Sequence, residues 1–171
     1  MAARTHRVIR AALVSLAGAF AVGVALAQPA AQPPSADGAK SPAVYRPGLG
    51  DLMTATVQPR HIKLALAGRA KNWDYATYEL RELNEAFGRI AQVWPEWQSM
   101  PIPDMMRAAL GGPMATLTQA IKNRDVDQFA AAYGQLTDGC NACHQSANRG
   151  FVVIQPPQAS SYPDQDFAPK N

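Results

Sequence analysis

The stretch DVDQFAAAYGQLTDGCNACH, residues 125–144, decides how this chain of 171 residues folds. Asp125 is a good helix N-cap, and Gln128 stands three positions on, at capping-box spacing. Phe129, Tyr133, Leu136, Cys140, Cys143 and His144 then follow along one side of a helix. The helix closes on Cys140-Asn141-Ala142-Cys143-His144, which has the form C-x-x-C-H and contains both cysteines of the chain. That form is the attachment motif of a c-type haem, in which two thiols add across two vinyl groups and the adjacent histidine coordinates the iron. Spacings of three and four bring all three side chains to one face, towards one flat ligand. The motif predicts one covalent haem c, held by Cys140 and Cys143, with His144 as the proximal axial ligand.

Three other uses of such a pair are less well supported. A thioredoxin-like redox pair opens a helix within an alternating strand–helix pattern, and none surrounds Cys140. A zinc site needs four ligands, and the remaining histidines are His6, in a segment that reads as removed, and His61. A Cys140–Cys143 disulfide would close a very small ring within a helix, where the thiols are poorly placed for the required dihedral.

Upstream of this helix the periodicity predicts three more. From Leu49 to Ala67 the apolar positions Leu52, Met53, Val57, Leu64 and Leu66 give an imperfect helical pattern with Gly68 as its stop. Pro59 falls inside it, removes one backbone bond and predicts a kink or division, with less regular bonding over Thr54 to Val57. The second helix runs from Asn72 as N-cap to about Trp94, where Pro95 ends it. Its seam is Trp73, Ala76, Leu80, Leu83, Phe87, Ile90 and Trp94, with Glu79, Arg81, Glu82, Glu85 and Arg89 largely on other faces. Residues 95–103 are a proline-rich connection. Asp104 to Leu110 reads as a short helix ended by Gly111-Gly112, with Pro113 opening a third helix to Lys122 that buries Met114, Leu117 and Ile121. Gly150 is the expected stop of the last helix. Beyond it Phe151 to Ile154 reads as a short extended segment and Ser160 to Asn171 as a tail, which Tyr162 and Phe167 either pin to the helices or leave loose.

The N-terminus carries Arg4, Arg7 and Arg10, an apolar run from Ala11 to Val24, and Ala25-Leu26-Ala27. This is the form of a secretory signal peptide over residues 1–27, cleaved near Ala27. An uncleaved anchor is the alternative, but the alanines and glycines make a poor bilayer span. Export fits covalent haem attachment, since the thiols must meet haem outside the reducing cytosol. The prolines of residues 28–48 mark a flexible leader. The domain organisation is then signal, leader, one helical domain over 49–150 and an extended C-terminal segment over 151–171. Without the three arginines of the signal, thirteen basic residues face thirteen acidic ones. That neutral balance carries no nucleic-acid footprint, while leaving room for local patches that dock a redox partner.

A signal peptide, roughly 120 helical residues and a single C-x-x-C-H in the last helix instead of near the N-terminus resemble the class II c-type cytochromes, cytochrome c prime and its low-spin relatives. Gln58-Pro59-Arg60-His61-Ile62-Lys63-Leu64, Asn72-Trp73 and Tyr78-Glu79-Leu80 are also similar to a group of small bacterial haem proteins. The resemblance covers roughly residues 49–150, and the segment from Phe151 departs from the usual short class II ending. It implies an all-α, antiparallel four-helix bundle with haem c on the last helix, and related bundles that often pair as homodimers.

The sixth iron ligand is left open between Met53, His61 and none. In an antiparallel bundle Met53 stands at about the level of His144, and in the low-spin relatives a methionine on the first helix takes this place. The other reading of Met53 is one more apolar core residue. His61 lies two turns further along and round the helix; its other reading is a histidine at the surface or beside a haem propionate. Arg60, Lys63 and Arg69 are candidate propionate partners. With neither ligand the iron is five-coordinate under a lid such as Leu52 or Val57.

These readings predict a periplasmic monohaem cytochrome that passes single electrons between redox partner proteins, with no catalytic residue and no stable membrane insertion once the signal is removed. The alternative is a five-coordinate haem protein that binds or scavenges nitric oxide or carbon monoxide. A peroxidase-like enzyme would need a distal acid–base group, for which His61 is the candidate.

Overall fold

The computed structural model describes residues 45–170, so the expected signal peptide and most of the leader lie outside the described residues. The described part contains helices and no strand. A short helix α1 (Leu49–Leu52) continues through a π-helical segment, Met53–Val57, into α2 (Gln58–Arg69). Three long helices follow: α3 (Trp73–Val93), α4 (Ile102–Asn123) and α5 (Val126–Ser146). The π segment stands where Pro59 was expected to disturb the ladder. Pro59 has no N–H to offer the carbonyl four residues back, and the Gln58 N–H bonds to the Met53 carbonyl five residues back instead. The helix is thus re-registered and not divided.

Caps account for most of the boundaries. The Asn72 side chain accepts from the Tyr75 N–H at 3.1 Å, and Asp125 accepts from Asp127 and Gln128 N–H at 3.1 and 2.9 Å. At the C-terminal ends, three non-glycine residues adopt positive φ: Lys71, Arg124 and Asn148. Each closes the paired-bond C-cap, as at Asn148, where its N–H reaches the Gln145 carbonyl at 3.1 Å and the Arg149 N–H reaches that of His144 at 2.7 Å.

Three expected breaks are therefore corrected. The last helix is closed by Asn148, two residues before Gly150. Gly68 lies inside α2, whose reversal falls at Lys71; it is a contact point, since a Cβ there would lie 2.1 Å from the Phe129 ring. Gly111-Gly112-Pro113 does not separate two helices, because α4 runs unbroken for 22 residues with Pro113 inside. Pro113 withdraws the donor from the Ala109 carbonyl, and α5 packs on that oxygen through Gly139, where a Cβ would lie 2.5 Å away. Tertiary packing offsets the break that local sequence favours.

The helices pack α2 on α3, α3 on α4, α4 on α5 and α2 on α5, an arrangement compatible with a helical bundle. Leu64, Leu83, Ile90, Leu117 and Leu136 are fully buried at its centre. Along α3, Ala76, Leu80, Leu83 and Ile90 of the expected seam are buried, but so is Glu79, which the sequence had placed on another face. Its carboxylate meets Arg60 of α2 at 3.2 Å, and Arg60 also reaches Glu82 at 3.6 Å. Burial pushes the Glu79 carboxyl up against the opposing pull of Arg60.

The C-terminal segment is tied down along its length. Asn141 bonds Ile154, Arg69 donates to the Pro157 carbonyl, Lys63 sits over the Tyr162 ring at 4.5 Å, Tyr75 donates to Gln165 at 3.1 Å, and Phe167 stacks on Tyr75 at 5.4 Å. Tyr162 and Phe167 thus pin the tail. Among the described residues no helix is long and apolar enough to cross a membrane.

Candidate functional site

The last two turns of α5 carry Cys140, Cys143 and His144, all partly buried. Both thiols are free. Burial pushes the Cys140 thiol up to about 11, with the neighbouring Cys143 adding to the shift, and burial also raises Cys143. Neither is the acidified thiolate that a dithiol redox catalyst uses at neutral pH. Gly139, immediately before the motif, fixes its height against α4 through the Ala109 contact.

His144 is oriented by the chain that follows its own helix. Its Nδ1 lies 2.8 Å from the Val152 carbonyl oxygen. A carbonyl only accepts, so Nδ1 carries the proton, and in the neutral ring the lone pair that a metal-binding imidazole requires then falls on Nε2. Asn141 makes two bonds to one residue: its Nδ2 donates to the Ile154 carbonyl at 3.0 Å, and its Oδ1 accepts from the Ile154 N–H at 2.8 Å. The sequence reading missed this role for Asn141 and Val152. No local pattern marks it, because the acceptor that meets His144 is a main-chain carbonyl.

Met53 lies in the π segment, partly buried and packed against the apolar core. His61 sits elsewhere, in the core between α2 and α5. Its Nδ1 is 2.8 Å from the Tyr133 hydroxyl and its Nε2 3.1 Å from the Thr137 hydroxyl, and the Tyr133 hydroxyl also donates to the His61 carbonyl at 2.9 Å. Both ring nitrogens are engaged, and burial lowers this histidine to about 4, so it is neutral at physiological pH. The three candidate propionate cations are likewise occupied: Arg60 with Glu79 and Glu82, Lys63 with the Tyr162 ring and Arg69 with the Pro157 carbonyl.

Cavities open elsewhere among the described residues. One of about 710 Å³ lies between α3 and α4, lined by Trp73, Leu80, Arg81, Met114, Ile121 and Lys122. A second of about 270 Å³ lies between α2 and the C-terminal segment, beside Gln58, Ile62 and Ile154. Neither is lined by the cysteines or by His144. Among the described residues no three His, Cys, Asp or Glu side chains gather as a metal-holding group.

No family model matches this sequence, and no curated protein or solved structure matches it significantly.

Proposed function

We propose that this chain is a periplasmic monohaem c-type cytochrome that passes single electrons between redox partner proteins. One observation carries the reading: two free thiols and an imidazole with an uncommitted Nε2 share one side of α5, in the order and spacing that attach haem c. The donor set fits the group. Cys140 and Cys143 would hold it covalently, and His144 would be the proximal ligand. When bound, haem c supplies a one-electron iron couple whose potential depends on the axial ligands and on burial.

The contacts between α2 and α5 support an antiparallel four-helix bundle with the motif on its last helix. Gly68 faces Phe129 and His61 faces Tyr133 and Thr137, so positions fall along α5 as they rise along α2. Carried one turn further at each step, this register would bring Val57 to the level of Cys140 and Met53 to that of His144. Met53 is therefore the distal ligand we favour. His61 stands two turns away with both nitrogens engaged, which weighs against it as a ligand and as the acid–base group of a peroxidase.

Absorption spectra of the purified protein, oxidised and reduced, with and without carbon monoxide, test this reading. Sharp low-spin bands indifferent to the gas are expected. Broad high-spin bands that shift with carbon monoxide would instead favour a five-coordinate protein that binds nitric oxide or carbon monoxide. A chain with Cys140 and Cys143 replaced by alanine should carry no haem stain on a denaturing gel; persistent stain would overturn the attachment.

A further inference from the structure

The backbone between α5 and the tail turns its side chains away from the protein. Phe151, Val152 and Val153 are 79, 42 and 63% exposed, so this apolar run is not held by burial. It is held by main-chain bonds. The Val152 N–H bonds back to the Arg149 carbonyl at 2.8 Å, and the Ile154 N–H and carbonyl are both taken by the Asn141 amide. Asn141 and His144 are three residues apart on α5 and project from neighbouring turns of one side. Val152 and Ile154 are two apart in extended chain, where alternate carbonyls share a side. The two spacings match: with Ile154 seated on Asn141, the Val152 carbonyl falls on His144 Nδ1 at 2.8 Å.

We propose that Asn141 is a positioning residue for the axial histidine, acting through the C-terminal segment: its bidentate grip on Ile154 holds the Val152 carbonyl against His144. This rests on the haem reading above. An N–H donated to a carbonyl fixes the ring's tautomer and rotation and makes Nε2 a stronger electron donor. A stronger donor favours the oxidised iron and lowers the reduction potential. The remote anchors at Arg69, Tyr75 and Lys63 keep the segment from swinging away as a unit.

The test compares wild type, Asn141→Ala, a chain ending at Gly150, and the two changes combined, all purified as haem-loaded proteins. Three quantities are read: amide exchange over residues 152–158, the midpoint potential, and the iron–histidine stretching frequency of the reduced protein, the last with each chain carrying Met53→Ala as well so that the sixth position is open. Asn141→Ala should speed exchange, lower the stretching frequency and raise the potential. The shortened chain should reproduce the last two shifts, and Asn141→Ala should then add nothing, because its route to the histidine is gone. Asn141→Asp keeps the acceptor for the Ile154 N–H and should fall between. Faster exchange with an unchanged frequency and potential would overturn the proposal, as would an Asn141→Ala shift undiminished in the shortened chain. Wild type without covalent haem would instead overturn the haem reading and this proposal with it, a result distinct from a loaded protein that ignores the substitution.

Discussion

Gly139 of α5 packs against the carbonyl oxygen of Ala109 in α4, the oxygen that Pro113 leaves without its helical donor. A Cβ at residue 139 would lie 2.5 Å from that oxygen and 3.1 Å from Leu110 Cδ2, so only hydrogen fits. The close approach joins two features that look like helix breakers in isolation, and it sits one residue before Cys140. Packing of α4 on α5 therefore sets the height of the proposed haem motif in the bundle.

Gly139→Ala should accordingly destabilise the protein by about 1–3 kcal/mol, the usual range for overpacking against an unyielding neighbour. Helix propensity alone predicts the opposite sign, a gain of about 0.5–1 kcal/mol. Gly134→Ala is the control, because its Cβ position is open, and it should show that gain. Denaturant midpoints of the two variants decide the point. A stabilised Gly139→Ala would mean that the two helices do not meet there.

Gly68 makes a second close approach, but to a side chain. Its Cβ would lie 2.1 to 2.7 Å from three carbons of the Phe129 ring, which would have to turn within the core. Gly68→Ala should cost about 1–3 kcal/mol in the wild-type chain and much less when Phe129 is already leucine. Equal costs in the two backgrounds would remove the contact as the reason for the glycine.

These glycines mark the boundary of what sequence could tell. The caps at Asn72 and Asp125 were readable because capping is local chemistry, and the shared side of Cys140, Cys143 and His144 follows from helical spacing. A glycine that ends a helix and one that admits a neighbouring helix look alike until the neighbour is known, so by local sequence alone Gly68 and Gly111-Gly112 have the form of stops. Glu79 is a different case. It lies three residues after Ala76 and four before Leu83, on the buried stripe itself, and its charge alone turned the reading outward. Its partner Arg60 is nineteen positions upstream, beyond the reach of any local pattern. The backbone bonds that orient His144 are invisible in a sequence because the acceptor, the Val152 carbonyl, is common to every residue type.

If Met53 is the distal ligand, Met53→Ala should open the sixth position. The low-spin spectrum should become high-spin, the weak sulfur-to-iron charge-transfer band should vanish and carbon monoxide should bind. His61→Gln should leave all three features as in wild type. Loss of the low-spin spectrum in the His61 variant, with the Met53 variant unchanged, would reassign the ligand.

His61 should make the fold sensitive to mild acid. Its folded value, lowered to about 4 by burial, lies below the ordinary 6.5 of an exposed imidazole. In the unfolded chain the ring takes up a proton as pH falls through 6.5, while in the folded chain it stays neutral, so proton uptake favours unfolding. The stabilisation is complete above pH 6.5, declines between 6.5 and about 4, and levels off once the folded ring also protonates. At about 1.4 kcal/mol per pH unit, the loss across that window is about 3 kcal/mol. Glu79 works in the opposite sense, because a carboxyl raised by burial favours the folded state at low pH. The His61 contribution is therefore isolated by difference. His61→Gln should be less stable than wild type at pH 7.5, through loss of fit to Tyr133 and Thr137, yet the gap between the two proteins should close by about 3 kcal/mol on going to pH 4. A gap that stays constant in denaturant titrations from pH 7.5 to pH 4 would mean that the ring is protonated, or reaches solvent, in the folded protein.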